Sequence, residues 1–442
     1  FSDKDTAYFE LSGEKDGGLS NQLANFIELF SKVFFGGVML QTPKSWKSAF
    51  QLITEQLEKL PKSKKMVLFF DELPWLATKK SGMLQALDYY WNRHWSRYPN
   101  LKLIVCGSAV SWILEKLINA KGGLYNRLTK IIFLKPYSLK GTRNFLTSRG
   151  ITLTPKQTLD LYMVFGGIPH YLKQVEKGKS VVQEINRICF QSDGLLYGEF
   201  DRLFASLFEH AEDSLSIVNA ISERRQGITR EELIQKTRFS SGGTLNKRLK
   251  ELESCGFIQS YIPYGYKKKE IYYRLIDEYC YFYLSWIQPL KSRGMEGGKN
   301  YWQTKSKTPA ALSWAGYTFE TVCLKHVNEI KEALSLEAVS CEVGSWRYIP
   351  KKGSHEQGAQ IDLLFDREDG AITLFEIRYS EHQLVVDKEC AKSLKNKLEI
   401  FEKHTHAHKQ IFIAMITTVG FKPTIWAEDL VQSVVLLNDL LT

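Results

Sequence analysis

The spacing of apolar residues predicts alternating strands and helices from residue 1 to about 110. Runs typical of buried strands occur at 7–11, 66–70 and 101–105, and helical apolar spacing occurs over 20–35, 46–60 and 83–96. Strands that alternate with amphipathic helices form parallel sheets with helices on both faces. The first part of the chain therefore predicts an open α/β domain.

Polar side chains follow two of these strands at their carboxyl ends. Asp71 and Glu72 come directly after the run 66–70, and Ser108 follows the run 101–105. Open α/β sheets bind their ligands at this edge. An aspartate there can hold Mg²⁺ through its water shell, and a glutamate can polarise the water that attacks a phosphoanhydride. In the alternative interpretation, the acidic pair and Ser108 are ordinary caps of the following helices.

Residues 205–290 show a different pattern, in which three short helices precede a hairpin. The third helix is predicted from Thr244 to Cys255, with Ser240 or Ser241 as its cap. Three helices and a hairpin predict a winged helix-turn-helix. Residues expected to contact DNA from the third helix and the wing are Asn246, Lys247, Arg248, Lys250, Lys267, Lys268 and Lys269. The alternative is a winged helix that only joins domains, with solvated lysines.

Two alternating apolar runs near the C-terminus flank Asp369-Gly370, a pair typical of hairpin turns. If the turn centres near Asp369, Asp362 lies opposite Glu376, and Arg378 shares their side of the sheet. Two carboxylates and a cation would then converge. The alternative is a cross-strand Asp362–Arg378 salt bridge on a scaffold without catalytic activity.

Composition and charge limit the classes of function. A chain of 442 residues predicts about two to four domains, and its apolar runs are too short to span a membrane. The net charge of +10 favours an anionic partner such as nucleic acid or nucleotide phosphates. The seven scattered cysteines suit a reducing cytoplasm and argue against a zinc site.

Two further segments have a simple interpretation. Residues 290–308 are rich in Gly, Lys and Ser and predict a linker before the C-terminal domain. His404, His406 and His408 alternate as metal ligands on a strand would. Their surroundings are typical of the polar end of a helix, which favours a solvated turn.

Four motifs occur in an order that resembles one protein family. They are LFFDE, LIVCGS, GGLYNRLTKIIFLKPYSL and FGGIPHYL. The order resembles a prokaryotic family of AAA+/STAND-like P-loop ATPases, common in archaea, with LFFDE as the Walker B element. The resemblance implies ATP and Mg²⁺ as cofactors, with Asp71 on the Mg²⁺ side, Glu72 polarising water and Ser108 as the sensor-1 residue. It also implies that Arg127 acts as a finger between the subunits of a homo-oligomer.

The same family often carries a C-terminal PD-(D/E)XK nuclease-like domain, which residues 305–442 resemble. By this resemblance Glu320 is the acidic residue of the first helix, Asp362 and Glu376 bind Mg²⁺, and Arg378 occupies the lysine position. Arginine keeps the charge of lysine but does not release a proton near neutral pH. The interpretation therefore leaves both an active and a degenerate nuclease site open.

The resemblance divides the chain into an ATPase core (1–135), a helical lid (136–204), a winged helix (205–290) and a nuclease-like domain (305–442). The lid motif contains Gly166, Gly167 and Pro169. The sequence contains no GxxxxGK(S/T) phosphate-binding motif. Either that motif lies upstream of Phe1, or the protein has lost nucleotide binding.

Three functions are compatible with these features. The first is an ATP-hydrolysing, DNA-associated ATPase with a nuclease-like domain. The second is a nucleic-acid-binding or interaction scaffold whose two sites are degenerate and which is not an enzyme. The third is a Mg²⁺-dependent nuclease gated by nucleotide.

Overall fold

The computed structural model describes residues 6–61, 63–118, 127–240, 242–267, 269–298, 300–350, 353 and 356–442. These residues form two compact units, the first up to Phe133 and the second from Leu134 onward. Within the described ranges, no helix is both long enough and apolar enough to cross a membrane.

The first unit is a three-stranded parallel sheet with helical connections. Its elements are β1 (Thr6–Ser12), α1 (Leu19–Phe34), α2 (Trp46–Lys59), β2 (Lys65–Asp71), α3 (Leu73–Leu76), α4 (Met83–Arg93), β3 (Leu101–Val105) and α5 (Val110–Ile113), with a 3₁₀ turn at Trp95–Arg97 and a π-helical turn at Leu114–Ile118. The strand order is β1-β2-β3. The ring of Phe50 on α2 stacks on that of Phe70 on β2, with centroids 5.7 Å apart. The predicted parallel α/β architecture is confirmed.

The second unit begins with helices joined by a turn that requires glycine. These helices are α6 (Leu139–Ser148), α7 (Pro155–Phe165), α8 (Pro169–Leu172), α9 (Val181–Phe190) and α10 (Glu199–Leu207), with a 3₁₀ turn at Leu195–Tyr197. Gly166 and Gly167 have φ of 61° and 72°, a region that residues with a Cβ rarely adopt. A Cβ on Gly167 would lie 2.1 Å from the carbonyl oxygen of Tyr137. This turn therefore explains why the FGG motif has glycine at both positions.

Next comes a segment of helices and a small antiparallel sheet, here called the winged segment. Its elements are α11 (Ala211–Ser222), β4 (Ile228–Thr229), α12 (Arg230–Lys236), α13 (Gly243–Ser254), β5 (Ile258–Tyr261) and β6 (Tyr272–Leu275). The strand β6 pairs with both β4 and β5. The predicted cap Ser240 is wrong. The helix α13 begins at Gly243, its N-cap position is Gly242, and no side chain in the described ranges caps it there. Ser241 lies outside the described residues.

The segment predicted as a linker is partly helical and packed. The elements here are α14 (Glu278–Phe282), a π-helical turn at Tyr283–Ile287, α15 (Gln288–Lys291) and α16 (Tyr301–Lys305). Trp302 on α16 is only 4% exposed, and its ring lies 5.0 Å from that of Phe282. The linker prediction is wrong at α16, because burial of one large aromatic side chain outweighs a polar local composition.

The C-terminal part of the second unit is built on a five-stranded mixed sheet. Its elements are α17 (Pro309–Lys325), α18 (Val327–Ala333), β7 (Cys341–Tyr348), β8 (Ala359–Arg367), β9 (Ala371–Arg378), β10 (Leu384–Val385), α19 (Lys388–Thr405), β11 (Gln410–Thr417), β12 (Phe421–Lys422), α20 (Ile425–Glu428) and β13 (Ser433–Leu436), with a 3₁₀ turn at Leu437–Leu441. The order β13-β11-β9-β8-β7 is antiparallel from β7 to β9 and parallel from β9 to β13. The short strands β10 and β12 pair separately.

Two local predictions in the C-terminal part of the chain are confirmed. Leu363 pairs with Phe375 and Asp366 with Ile372, which is the register of a turn centred near Asp369. The helix α19 ends at Thr405, and His406 follows as a left-handed cap with φ of 50°. The histidine-rich segment is therefore the end of a helix and the turn after it.

Candidate functional site

The carboxyl ends of the three parallel strands in the first unit bring five side chains together, here called the edge site. They are Ser12, Asp71, Glu72, Cys106 and Ser108. Ser12 and Asp71 are register partners at the last positions of β1 and β2. Because parallel strands end at the same edge of a sheet, residues far apart in sequence meet here.

Asp71 is held by neutral donors from both neighbouring strands. The Ser12 hydroxyl donates to Oδ2 at 3.1 Å, and the Cys106 thiol donates to Oδ1 at 2.7 Å. Burial, together with the hydrogen bond to Asp71, raises the pKa of Cys106 to about 11. The thiol therefore stays protonated near neutral pH and acts as a donor.

Glu72 has a left-handed backbone and turns its side chain towards β3. Its φ is 47°, a conformation that costs a residue with a Cβ about 1 kcal/mol or more. Glu72 Oε2 accepts hydrogen bonds from both the backbone N–H and the hydroxyl of Ser108, each at 3.1 Å. Glu72 precedes α3 but makes no side-chain capping bond there. The capping alternative is therefore wrong for Glu72, whose side chain meets Ser108 after the neighbouring strand.

The donor set at the edge site fits a hard divalent cation. Mg²⁺ takes oxygen ligands and is usually held by one or two carboxylates together with waters and substrate phosphates. Among the described residues, Asp71 and Glu72 form no ion pair with a lysine, arginine or histidine. Within the described part of the chain, neutral hydrogen bonds therefore stabilise their negative charge.

Arg127, the predicted finger between subunits, is exposed. Residues 119–126, which include most of the GGLYNR segment before it, lie outside the described part of the chain. The role of Arg127 between subunits stays a prediction.

The helix α13 exposes some of the residues predicted to contact DNA and buries another. Asn246, Lys247 and Lys250 are exposed. The prediction for Arg248 is wrong, since this side chain is 5% exposed and pairs with Asp213 at 3.5 Å and with Glu251 at 2.5 Å. The apolar stripe of α13 is wide enough to bring Arg248 against α11, where an acidic partner compensates its charge.

The loop between β5 and β6, which is the predicted wing, contacts β7 and α19 through Tyr264. The backbone N–H of Tyr264 donates to the carbonyl of Ser345 on β7 at 2.7 Å, and its ring stacks on Phe401. Lys267 and Lys269 are exposed, whereas Lys268 lies outside the described residues. The wing thus joins two parts of the second unit, while Lys267 and Lys269 face solvent.

In the second unit, three carboxylates form what is here called the acid cluster: Glu320 on α17, Asp362 on β8 and Glu376 on β9. Glu376 is 7% exposed and pairs with Arg378 through Oε1 and with Lys397 through Oε2, both at 2.6 Å. The alternative Asp362–Arg378 salt bridge is wrong, because Arg378 pairs with Glu376 on its own strand and Asp362 accepts a hydrogen bond from Gln360.

The carboxyl groups of the acid cluster influence each other's protonation. Burial, with repulsion from Asp362 and Glu376, raises the pKa of Glu320 to about 9. Burial also raises the pKa of Asp362. Across the described ranges, no group of three or more His, Cys, Asp or Glu side chains is arranged to hold a metal ion.

Lys397 on α19 is the residue at this site that sequence reasoning missed. It lies three positions after the buried Leu394, so helical spacing places it near the packed face of α19. That spacing was the available signal, but only the fold shows that Glu376 faces it.

Comparisons with known proteins find distant likenesses. No protein-family model matches the chain. The uncharacterized protein MJECL04 of Methanocaldococcus jannaschii is 25% identical over 323 residues, which cover 72% of this chain and 68% of the relative. Among solved structures, the Walker-type ATPase PABY2304 of Pyrococcus abyssi has a TM-score of 0.41 at 16% identity, over 64% of this chain and 84% of that chain. Drosophila ORC bound to DNA has a TM-score of 0.25 at 13% identity, over 63% and 72%. TM-scores this low do not establish a shared fold.

Proposed function

We propose that this protein hydrolyses ATP at the edge site and couples hydrolysis to contact with DNA. The observation that carries the proposal is the meeting of Asp71, Glu72 and Ser108 at the carboxyl ends of adjacent parallel strands, with the Ser108 hydroxyl 3.1 Å from Glu72. An aspartate for a metal, a glutamate for water and a polar residue on the next strand are what phosphoanhydride hydrolysis at such an edge requires.

Each side chain of the edge site would have a separate role in hydrolysis. Bound Mg²⁺ would neutralise charge on the phosphates, and Asp71 would hold it. Glu72 would orient the attacking water and accept its proton. Ser108 positions the Glu72 carboxylate, and Ser12 and Cys106 orient Asp71 without adding positive charge.

Hydrolysis also needs a loop of backbone N–H groups and a lysine that cradle the phosphates. The sequence contains no GxxxxGK(S/T), so the proposal requires this loop to be contributed from outside these residues. Among the described strands, β3 pairs with β2 alone, and Ile104 on β3 is 40% exposed. That free edge could accept a further strand.

Contact with DNA is proposed for the exposed side of the winged segment. Asn246, Lys247 and Lys250 would face the major groove, and Lys267 and Lys269 would contact phosphates beside it, with Lys268 as a further predicted contact. The net charge of +10 supports an anionic partner. Arg248 is excluded from this surface by its burial.

The decisive experiment is Mg²⁺-dependent ATP hydrolysis by the full-length protein and its Glu72→Gln variant. We expect turnover to fall at least about 100-fold in the variant, since the general base is lost, while ATP binding persists. Glu58→Gln, on the exposed face of α2, is the matched control and should keep full turnover. Equal turnover in Glu72→Gln would contradict the assignment, and absence of both ATP binding and turnover in the wild type would favour the scaffold.

Contact with DNA is tested by fluorescence anisotropy of a labelled duplex over a range of salt concentrations. The Lys247→Gln/Lys250→Gln double variant should bind more weakly, with a salt slope smaller by about 2 if each lysine contacts one phosphate. The Lys173→Gln/Lys177→Gln double variant removes the same charge from another exposed segment. Equal loss of affinity in both double variants would show that only total charge matters.

A second candidate function is Mg²⁺-dependent cleavage of nucleic acid at the acid cluster. The observation that favours it is that Asp362 and Glu376 lie near enough to Glu320 to raise its pKa, with the Lys397 ammonium 2.6 Å from Glu376. Arg378→Lys should raise cleavage if only the arginine limits the site, whereas Arg378→Lys with Asp362→Asn should stay inactive. Absence of cleavage in every variant would favour a degenerate site.

A further inference from the structure

The winged segment, the C-terminal sheet and α17 line a cavity of about 40 Å³ that includes two carboxyl groups of the acid cluster. Positive and negative side chains line it together. They include Arg225, Arg274, Arg347, Glu320, Asp362 and Tyr261. Two of the arginines come from the winged segment and one from β7, so neither part of the fold builds the cavity alone.

Aromatic faces and fixed acceptors hold two of these arginines in place. Arg274 lies over the ring of Tyr261 at 4.6 Å and donates to Gln259 through two nitrogens at 3.1 and 2.7 Å. Arg347 lies over the ring of Tyr272 at 3.9 Å. A guanidinium that is already ordered loses little entropy when it binds a ligand. Both side chains are therefore preorganised.

Arg347 retains an unused donor. Its Nη1 donates to a backbone carbonyl at 3.4 Å, but its buried Nε has no hydrogen-bond partner among the residues that the structure describes. A buried donor without a partner costs about 1–3 kcal/mol unless water or a ligand satisfies it. The cavity beside Arg347 can hold that partner.

The charges across the cavity do not cancel by direct contact. Among the described residues, none of Arg225, Arg274 and Arg347 forms an ion pair with Glu320 or Asp362. Three guanidinium groups therefore face two carboxyl groups, and this excess of positive side chains favours an anion inside the cavity.

We propose that this cavity binds a tetrahedral phosphate group, held by the guanidinium groups of Arg274 and Arg347, with Arg225 adding positive charge. Arginine forks match phosphate oxygens in geometry and charge. A volume of about 40 Å³ exceeds the ~10–15 Å³ that a single water needs, so several oxygen-sized atoms can enter. The proposal goes beyond ATP hydrolysis in the first unit and does not require cleavage at the acid cluster.

Isothermal titration calorimetry with inorganic phosphate tests the proposal on the full-length protein. The Arg274→Gln/Arg347→Gln double variant should bind phosphate at least about 10-fold more weakly, because both forks are lost. Arg293→Gln, an exposed arginine of the same unit, is the matched control and should bind as the wild type does. Equal affinity in the double variant and the wild type, or no saturable binding by the wild type up to about 10 mM phosphate, would overturn the proposal.

A gain of affinity separates the proposal from a loss of folding. Asp362→Asn removes the negative charge that repels phosphate across the cavity, so we expect this variant to bind phosphate about 3-fold to 10-fold more tightly. Misfolding does not produce tighter binding. Unchanged or weaker phosphate binding by Asp362→Asn, with a native circular-dichroism spectrum, would contradict a phosphate next to this carboxylate.

A competition arm identifies the source of the phosphate group. If the cavity takes a backbone phosphate of nucleic acid, inorganic phosphate should displace a labelled oligonucleotide from the wild type more effectively than from the arginine double variant. If the cavity takes free phosphate only, the double variant should bind the oligonucleotide as the wild type does and still lose inorganic phosphate. Both results support a phosphate site, and they assign it to different ligands.

Discussion

At the edge site, Asp71 and Glu72 are held by neutral donors, whereas at the acid cluster Glu376 is held by two cations and Glu320 by a retained proton. Hydroxyl, thiol and N–H groups stabilise a carboxylate and leave its full charge available to an incoming metal. At the acid cluster, Arg378 and Lys397 each lie 2.6 Å from Glu376 and already neutralise its charge. A metal arriving at the acid cluster would therefore have to replace a cation or displace a proton.

This difference indicates that the carboxyl groups of the two sites are prepared for different ligands. A buried charge that keeps its partners is stable but less available, and removing one partner is costly. In the functions proposed here, the edge site takes a magnesium nucleotide and the arginine-lined cavity of the second unit takes a phosphate group.

The largest effect expected from a single substitution at neutral pH is that of removing Lys397. Lys397→Met should lower the unfolding free energy of the second unit by about 2–3 kcal/mol, because Glu376 is 7% exposed and keeps only one cation. Hydrogen exchange of the β9 amides measures this locally. Lys395→Met, on the exposed side of the same helix, is the control, and an equal effect there would show that the pairing with Glu376 adds no stability.

The next effect concerns pH. The pKa of Glu320 is about 9 in the folded protein, against 4.5 as its ordinary value, so the folded state binds the extra proton between these limits. The stability contributed by Glu320 is therefore lost as pH rises from about 5 to 9, by up to about 1.4 kcal/mol per pH unit.

Glu320→Gln should flatten this dependence in denaturant unfolding of the second unit measured at several pH values. Glu332→Gln, an exposed glutamate on the nearby helix α18, should leave it unchanged. A slope in Glu320→Gln equal to that of the wild type would show that Glu320 does not cause it and would contradict the contrast with the edge site.

A smaller effect is expected from Ser108, which acts on Glu72 by position. Ser108→Ala should lower ATP turnover about 10-fold and change stability by at most about 1.5 kcal/mol. Ser108→Thr keeps the hydroxyl and should restore most of the turnover. Unchanged turnover in Ser108→Ala would show that Glu72 does not depend on this hydrogen bond.

The smallest effect tests the neutral pairing of Asp71. Asp71→Asn removes the charge that helps to hold the pKa of Cys106 near 11, so the thiolate fraction should rise. We expect alkylation of Cys106 to become about 3-fold to 10-fold faster, as followed by mass spectrometry of its peptide. Cys390 in the second unit is the internal control. No change at Cys106 would argue against the thiol–carboxylate hydrogen bond.

Several elements of the fold were predictable because their signals are local. The run 66–70 marked the buried strand and placed Asp71 at its end, and Asp369-Gly370 set the register that aligns β8 with β9. Period and turn chemistry act over a few residues. These predictions needed no knowledge of distant partners.

The failures share a different cause. Arg248 was assigned to solvent, but it is 5% exposed and pairs with Asp213 of α11 as well as with Glu251 of its own helix. Residues 290–308 were predicted to be a linker, but Trp302 in this segment packs against aromatic rings of α9 and α14. In each case a distant side chain decided whether burial was favourable, and local composition contains no information on that partner.

The sequence by itself determined the parallel α/β architecture, the strand ends that bear Asp71 and Glu72, and the hairpin that aligns Asp362 with Glu376. Only the tertiary structure decided which groups compensate those carboxylates: Ser108 for Glu72, and Lys397 with Arg378 for Glu376. The physical reason is that periodicity and turn preference are properties of neighbouring residues, whereas the protonation and availability of a charge depend on every element packed around it.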